Sequence, residues 1–363
     1  MEERIYYLGF SLVSGIGPKT FAMLLKYFKS AEKAWSSNSV ELKKAGLSDG
    51  LIQKFEKTKN ELDIKNYLES LKHKNVTFIA LCDKEYSKLL KEIPNPPIVL
   101  FVKGDISKID FDKTVGIVGT RKITSYGREI TKLFSSGLSS SGITIVSGLA
   151  MGVDAEAARS AIEVKGKTIA VLGNGVDLCF PSSNEALYDK ILEGNGIIVS
   201  EYPLGTSPSV GSFPSRNRII AGLSIGVLVT EGAEDSGSLI TADYAFKFNR
   251  KVFAVPGPIT SSLSKAPLKL IERGAKLVVD AEGVLKELKM QNSKFKILTQ
   301  NSKVKGETKD EQKILSILEN ESLHFDEIVR RLKSEPSLIG STLSILEVKG
   351  AIKSLEGGFF KII

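Results

Sequence analysis

The residues of this sequence that could do chemistry sit in glycine- and serine-rich turns, each following an apolar run. The first reads Gly119-Thr120-Arg121-Lys122-Ile123-Thr124-Ser125-Tyr126-Gly127. A chain that leaves a strand through glycine and Ser/Thr into a helix exposes free N–H groups at the positive helix end, and these suit a phosphate. Arg121 adds a planar fork able to grip a phosphate with two hydrogen bonds, and Lys122 adds a second charge. In the alternative, Ser125 only caps the helix and Arg121 is a solvated surface residue. Ser147-Gly148-Leu149-Ala150-Met151-Gly152-Val153-Asp154 repeats the pattern, with Asp154 read as the helix cap. In the stretch from Gly173-Asn174-Gly175 to Phe180-Pro181-Ser182-Ser183-Asn184, Gly173 and Gly175 permit close backbone approach to a ligand. Phe180 offers a ring on which a base can stack, although composition alone favours a core position for it.

Phe213-Pro214-Ser215-Arg216-Asn217-Arg218 opens an apolar helical stretch. Two arginines one residue apart are not both expected to point inward, so at least one should face a ligand or a carboxylate. Glu201 and Glu231, each at a strand end, are candidate partners. An Arg–Glu pair inside the fold is the alternative for Arg218, because a buried arginine needs a paired charge. Ser236-Gly237-Ser238 offers another hydroxyl-rich helix start, with Lys247, Arg250 and Lys251 close behind. Neither a GxGxxG dinucleotide fingerprint nor a GxxxxGK[ST] phosphate loop occurs. Several phosphate-friendly turns without either motif suit an extended ligand carrying several phosphates better than a single nucleotide. With only Cys82, Cys179, His73 and His324, no zinc site, disulfide scaffold or histidine-based catalytic site is expected. No metal, cofactor or catalytic residue is assigned.

These turns need a rigid frame. Residues 76–288 alternate β-branched runs with amphipathic stretches. The runs are Val115–Val118, Ile143–Val146, Thr168–Leu172, Ile197–Glu201, Val227–Thr230, Val252–Val255 and Leu277–Val279. Strands apolar on both faces and separated by helices predict a parallel α/β sheet covered on both sides, with ligands at the carboxyl ends of its strands. Val76–Leu81 reads as an edge strand and Ile93–Pro97 as a proline-rich connection. Residues 1–75 read as a helical domain in which Gly15-Ile16-Gly17-Pro18 forms a helix-hairpin-helix (SAM-like) turn. Such a turn can present N–H groups to DNA phosphates, or can simply pack two helices together. Residues 289–308 are polar and lysine-rich and read as a linker. Residues 309–363 give three helical patterns and a hairpin turning at Gly357-Gly358, the outline of a winged helix. The third pattern, Pro336–Leu343, has no Arg or Lys, which favours contact with a protein over reading of DNA.

The chain has 363 residues and a formal net charge of +8, which fits a nucleic-acid partner. The charge is not spread evenly. Segment 76–288 holds 24 basic and 23 acidic residues, so a polyanion site there must be local. The opening MEERIYYLGF lacks a signal-peptide pattern, and no apolar run approaches the roughly 20 residues of a membrane span. A cytoplasmic protein without a membrane partner is expected.

Taken in order, G[ST]R…SxYG, SGLAxGxD, GxGxDxxxPxxN, SExPxGxxPxxxxFPxRNRIIAGLS, SGSLITA and VFAVPG resemble the DNA-processing protein A (DprA/Smf) family. Residues 113–124, 147–154, 173–184, 200–224, 236–242 and 252–257 carry the resemblance, and Phe213–Ser224 is its most specific part. The resemblance implies an extended Rossmann-like fold that binds single-stranded DNA in a positive pocket, a homodimer, and a contact with the RecA recombinase, loaded onto incoming DNA during natural transformation. It implies that Arg121 grips phosphate and that Phe180 meets a base. It further implies that Ser215, Arg216 and Arg218 line the same pocket and that Lys247 or Arg250 supplies a basic rim. Gly119, Thr120, Lys122, Ser147, Gly148, Gly173, Asn174, Gly175, Pro181, Asn184, Asn217, Ser236 and Ser238 complete the expected DNA-binding set. Two departures stand out: Ser264-Lys265-Ala266-Pro267-Leu268 replaces a Ser-x-Gly-x-Asn stretch, and Asp235 replaces an arginine. A binding protein rather than an enzyme is expected. The alternative is a Rossmann-like nucleotide phosphoribohydrolase with Glu231 as acid or base, but the PGGxGTxxE signature of such enzymes is missing. A scaffold with a vestigial pocket is a third reading.

Overall fold

The computed structural model describes residues 2–289, 308–319, 321–349, 351–355 and 357–362. The chain divides into two units, Met1–Phe295 and Lys296–Ile363. Apart from its two end residues, the stretch expected as a linker lies outside the described residues.

The first unit opens with helices α1 (Glu3–Leu12), α2 (Pro18–Phe28), α3 (Ala31–Ser36), α4 (Ser39–Lys44), α5 (Asp49–Glu61) and α6 (Ile64–His73). Gly15 takes φ +95° and Pro18 is the first residue of α2, so the chain reverses between α1 and α2. Ser30, Asn38 and Asp63 cap α3, α4 and α6 with their side chains. Phe10 joins the helices from the inside: its ring stacks on Phe55 at 5.5 Å and meets Trp35 edge-on at 5.1 Å. A Cβ at Gly9 would stand 2.9 Å from the Trp35 ring, so the residue next to Phe10 carries no side chain.

The rest of this unit follows as β1 (Val76–Ala80), α7 (Lys88–Lys91), β2 (Val99–Lys103), β3 (Thr114–Val118), α8 (Ser125–Ser140), β4 (Thr144–Ser147), α9 (Val153–Glu163), β5 (Thr168–Val171), α10 (Glu185–Glu193), β6 (Ile197–Ser200), α11 (Ser212–Leu223), β7 (Gly226–Val229), α12 (Gly237–Lys247), β8 (Lys251–Ala254), α13 (Lys265–Glu272), β9 (Lys276–Leu277) and α14 (Ala281–Glu287). Among the described residues the sheet runs β1-β2-β6-β5-β4-β3-β7-β8-β9. Strands β3 to β9 pair in parallel. β2 joins β6 and β1 in antiparallel register. Val115 and Ile117 point to the face covered by α8, α9 and α14. Val118 and Val227 point to the face covered by α11, α12 and α13. Burial on both faces is the reason these strands read as unbroken apolar runs. The expected α/β fold is present. β2 was not anticipated: it directly follows the prolines of Ile93–Pro97, which had suggested connection alone.

β3 lies between β4 and β7. The chain winds outward from β3 through β6 on one side, then crosses over and continues through β7 on the other. The order therefore reverses between β3 and β7, and a crevice opens beyond the carboxyl ends of the strands at such a point.

The second unit contains α15 (Lys309–Leu318), β10 (Leu323–His324), α16 (Phe325–Leu332), α17 (Pro336–Val348), β11 (Ile352–Leu355) and β12 (Phe359–Ile362). Its sheet runs β10-β12-β11, and Gly357 and Gly358 turn the hairpin at φ +79° each. Ile314, Leu318, Ile328, Leu343 and Leu346 form its core. This is a winged helix. Leu338, Ile345 and Val348 are exposed on α17.

Candidate nucleic-acid interface

The crevice at the β3/β7 reversal is a cleft of about 500 Å³. Gly119, Thr120 and Arg121 reach it from the turn after β3, and Phe213, Arg216 and Asn217 from the first turns of α11. Asp235, Ser236, Gly237 and Ser238 reach it from the start of α12. Segments far apart in sequence thus meet at one place because every parallel strand releases its following turn on the same edge of the sheet.

Two features give the cleft its chemistry. Arg121 is exposed, and its guanidinium carbon lies 5.5 Å from the centre of the Phe213 ring. Phe180, 43% exposed, stacks on the same ring at 5.6 Å with 30° between the planes. A cation and two aromatic rings are therefore grouped at the mouth. The start of α12 adds hydroxyls: Ser236 caps the helix through the Ser238 N–H at 3.3 Å, and the two serine oxygens lie 2.8 Å apart. Asn217 donates to the Gly237 carbonyl at 3.3 Å and so ties α11 to this turn.

Beneath the mouth lies Arg216, 4% exposed. Its Nη1 donates to the Gly148 carbonyl at 2.7 Å and to the Val171 carbonyl. Burial pulls its pKa down, Asp154 acts in the opposite direction, and Arg121 adds like-charge repulsion. Asp154 is buried as well and accepts from the Gly148 N–H at 3.0 Å. Burial pushes its carboxyl pKa up, opposed by Arg216 and by the Gly148 and Ala150 backbone. Arg216 thus forms the floor of the cleft and joins the ends of β4 and β5, with one buried countercharge nearby.

Several expectations are corrected. Both Arg216 and Arg218 point inward, because each finds its own acceptors. Arg218 pairs with Glu201 and is 8% exposed, so it does not line the cleft with Arg216. Ser215 is likewise outside the lining. Asp154 is not the cap of α9; the cap position is Gly152, and Thr124, not Ser125, caps α8. Lys247 ends α12, whose first residues face the cleft, so it stands roughly 15 Å away along the helix. Arg250 precedes β8 at the opposite edge of the sheet and bonds the Leu89 carbonyl at 2.9 Å and Glu92 at 3.0 Å. Neither forms a rim. Lys265 pairs with Glu234 at 3.8 Å.

The glycines that were expected to admit a ligand admit the chain itself. A Cβ at Gly148 would stand 2.3 Å from Arg216, one at Gly173 3.1 Å from Phe213, and one at Gly175 2.7 Å from the Pro203 carbonyl. Asn174 is buried and donates to the Gly175 and Leu178 carbonyls at 3.0 and 2.7 Å. Ser147 donates to the Ile117 carbonyl at 2.7 Å. Asn184 donates to the Leu149 carbonyl at 2.9 Å, and its backbone N–H donates to the Pro181 carbonyl at 3.0 Å. These residues set the loop that holds Phe180. The start of α8 is also taken: Glu231, 3% exposed, accepts from the Thr124 N–H at 3.0 Å and from its hydroxyl at 2.5 Å. The positive end of that helix therefore faces a carboxylate of the protein, leaving Arg121 and Lys122 on its turn to meet a ligand. Phe213 was quoted in its motif but not singled out, because nothing in the sequence shows which ring it would stack against.

Residues 77–289 match the model of the DNA recombination-mediator protein A family, and residues 300–358 that of the DprA winged helix domain. The protein Smf of Synechocystis sp. is 42% identical over 291 residues, covering 79% of this chain and 73% of that protein. Among solved structures, DNA processing protein A from Streptococcus pneumoniae is 32% identical with a TM-score of 0.67, over 79% of this chain and 98% of that one. DNA processing protein A from Helicobacter pylori, studied for its single-stranded DNA binding mode, is 29% identical with a TM-score of 0.53, over 59% of this chain and 95% of that one.

Proposed function

The chain belongs to the DNA recombination-mediator protein A family and has a DNA-processing role, and from that premise we propose that it binds single-stranded DNA without sequence preference in the cleft beyond β3 and β7. The observation that carries this reading is the grouping of Arg121 with the Phe180–Phe213 stack at the mouth. An exposed guanidinium suits backbone phosphate, and an exposed ring offers a face to any base. In duplex DNA the base faces are stacked on one another, so a stacking site selects unpaired strands. Gly119, Thr120, Asn217, Ser236 and Ser238 supply neutral hydrogen-bonding groups around the path. Ser147, Gly148, Gly173, Asn174, Gly175, Pro181, Asn184 and Arg216 hold that surface in shape.

In this reading the protein acts by binding and not by catalysis. Glu231, the carboxylate an enzyme would use, is committed to Thr124 at the start of α8. The organisation is a helical domain over 1–75, a DNA-binding domain over 76–288, a linker over 289–308 and the winged helix over 309–363. The family resemblance supports a cytoplasmic homodimer that loads RecA on the bound strand during natural transformation. The lysine- and arginine-free α17 with its exposed Leu338, Ile345 and Val348 supports a protein-contacting winged helix. No described helix is long and apolar enough to cross a membrane.

A competition assay tests the reading. Labelled oligothymidylate is displaced from the full chain by unlabelled single strands of mixed sequence or by the same sequences as duplex. Single strands of any sequence should compete well and duplex poorly. Equal competition by duplex would contradict the reading.

A further inference from the structure

We propose that the groove on the far side of Arg121 is a second phosphate subsite for the same strand, built from Lys122, Arg128 and Arg159. The inference rests on the reading that the cleft takes single-stranded DNA. The groove, about 330 Å³, lies between the turn after β3, the outer sides of α8 and α9, and Asn184. All four charged residues in its lining are cations: Arg121, Lys122, Arg128 and Arg159.

A carboxylate, Glu156, anchors two of these cations from beneath. The Glu156 side chain is 6% exposed, and its Oε2 accepts from Arg128 at 2.8 Å and from Arg159 at 2.9 Å. Its Oε1 accepts from the Ser160 hydroxyl at 3.2 Å. One carboxylate can offset only one of four positive charges. Glu163, also on α9, pairs with Lys132 at 3.3 Å outside the lining. The Arg128 and Arg159 side chains remain 55% and 45% exposed. Each therefore spends part of its donor fork on an internal anchor and keeps the rest toward solvent. Two guanidiniums held in place without being neutralised are preorganised for an anion, which reduces the ordering cost of binding.

The groove adjoins the cleft, with Arg121 in both linings. A Cβ at Gly152 would stand 2.2 Å from the Thr120 carbonyl oxygen, so the turn after β4 passes directly under the turn after β3. Arg121 lines both hollows. A strand leaving the cleft on the β4 side crosses Arg121 and meets three more cations, whereas on the β7 side it meets Asp235. Charge alone gives the path a direction. Among the described residues the groove has no aromatic side chain in its lining, so it takes backbone and not bases.

The test compares oligothymidylates of about five and about twenty nucleotides, the shorter filling one site and the longer reaching both. The variant Arg128→Gln/Arg159→Gln keeps donors for Glu156 and removes both charges. Its affinity for the longer strand should fall about tenfold and its salt slope by about 1.4, for two lost phosphate contacts. Binding of the shorter strand should stay as in the unaltered chain. Lys122→Gln, which leaves the backbone bond to the Thr120 hydroxyl in place and alters a side chain with no hydrogen bond or ion pair among the described residues, should lower the slope for the longer strand by about 0.7. It carries the test if thermal melting shows that the double variant is unfolded. Unchanged binding of the longer strand, with Arg121→Ala still impaired, would overturn the subsite and leave the cleft reading standing. Failure of the unaltered chain to bind either strand would overturn both.

Discussion

Phe180 leaves 43% of its surface in solvent, although full burial of a side chain of that size is worth roughly 1.5–3 kcal/mol. Its loop is held by Asn174, Asn184 and the Gly173 and Gly175 contacts, so the exposure is built and not a failure to pack. Phe180→Ala should weaken single-strand binding by about 1–3 kcal/mol with little change in melting temperature. Matching losses of binding and stability would return the ring to a core role. At this scale the sequence was legible where chemistry is local and opaque where it is not. Arg121 follows a strand and a glycine, a pattern readable from neighbours alone, and it stands at the cleft. Composition favoured a buried Phe180, because no spacing rule shows that Phe213, over thirty residues away in sequence, would meet it. Arg218 pairs with Glu201, the internal alternative that the sequence left open, whereas Arg216 turned inward as well because the carbonyls of Gly148 and Val171 arrive from other strands.

The strands were legible as elements because burial on both faces leaves an unbroken β-branched run. β2 was obscured by the prolines before it, and the run expected at Leu277–Val279 forms only the two-residue strand Lys276–Leu277. The turns between elements were located correctly in sequence but not always in purpose. Their glycines make room for other parts of the protein, and the start of α8 receives Glu231 in place of a ligand. This arrangement makes a prediction against helix propensity. Alanine is about 1 kcal/mol better than glycine inside a helix. Yet a Cβ at Gly127 would fall 1.9 Å from Glu231 Oε2, displacing a buried carboxylate from the Thr124 N–H and hydroxyl. Gly127→Ala should therefore destabilise the protein by roughly 2–4 kcal/mol, the range for disturbing a buried charged network. A chemical-denaturation midpoint equal to or above that of the unaltered chain would refute this account of the turn.

Across the whole molecule, the net charge of +8 is a weak guide, since segment 76–288 is nearly neutral and many of its cations serve ion pairs within the fold. Arg250 holds Glu92 and Arg273 holds Asp243, each in service of the fold. At the reversal of the sheet's strand order, a polyanion meets an exposed guanidinium, Arg121, shared by the cleft and the adjoining groove. The sheet class and the winged helix followed from periodicity. The position of the site did not, because it depends on which strand lies beside β3, and that neighbour, β7, comes over a hundred residues later in the chain. The most direct measurement is a salt titration of single-stranded DNA binding by the full chain and by Arg121→Ala. If Arg121 grips the backbone, the variant binds every sequence more weakly, and the slope of log K against log salt falls by about 0.7, one phosphate contact on a single strand. A variant whose affinity and slope both match those of the unaltered chain would mean that the strand does not pass over Arg121.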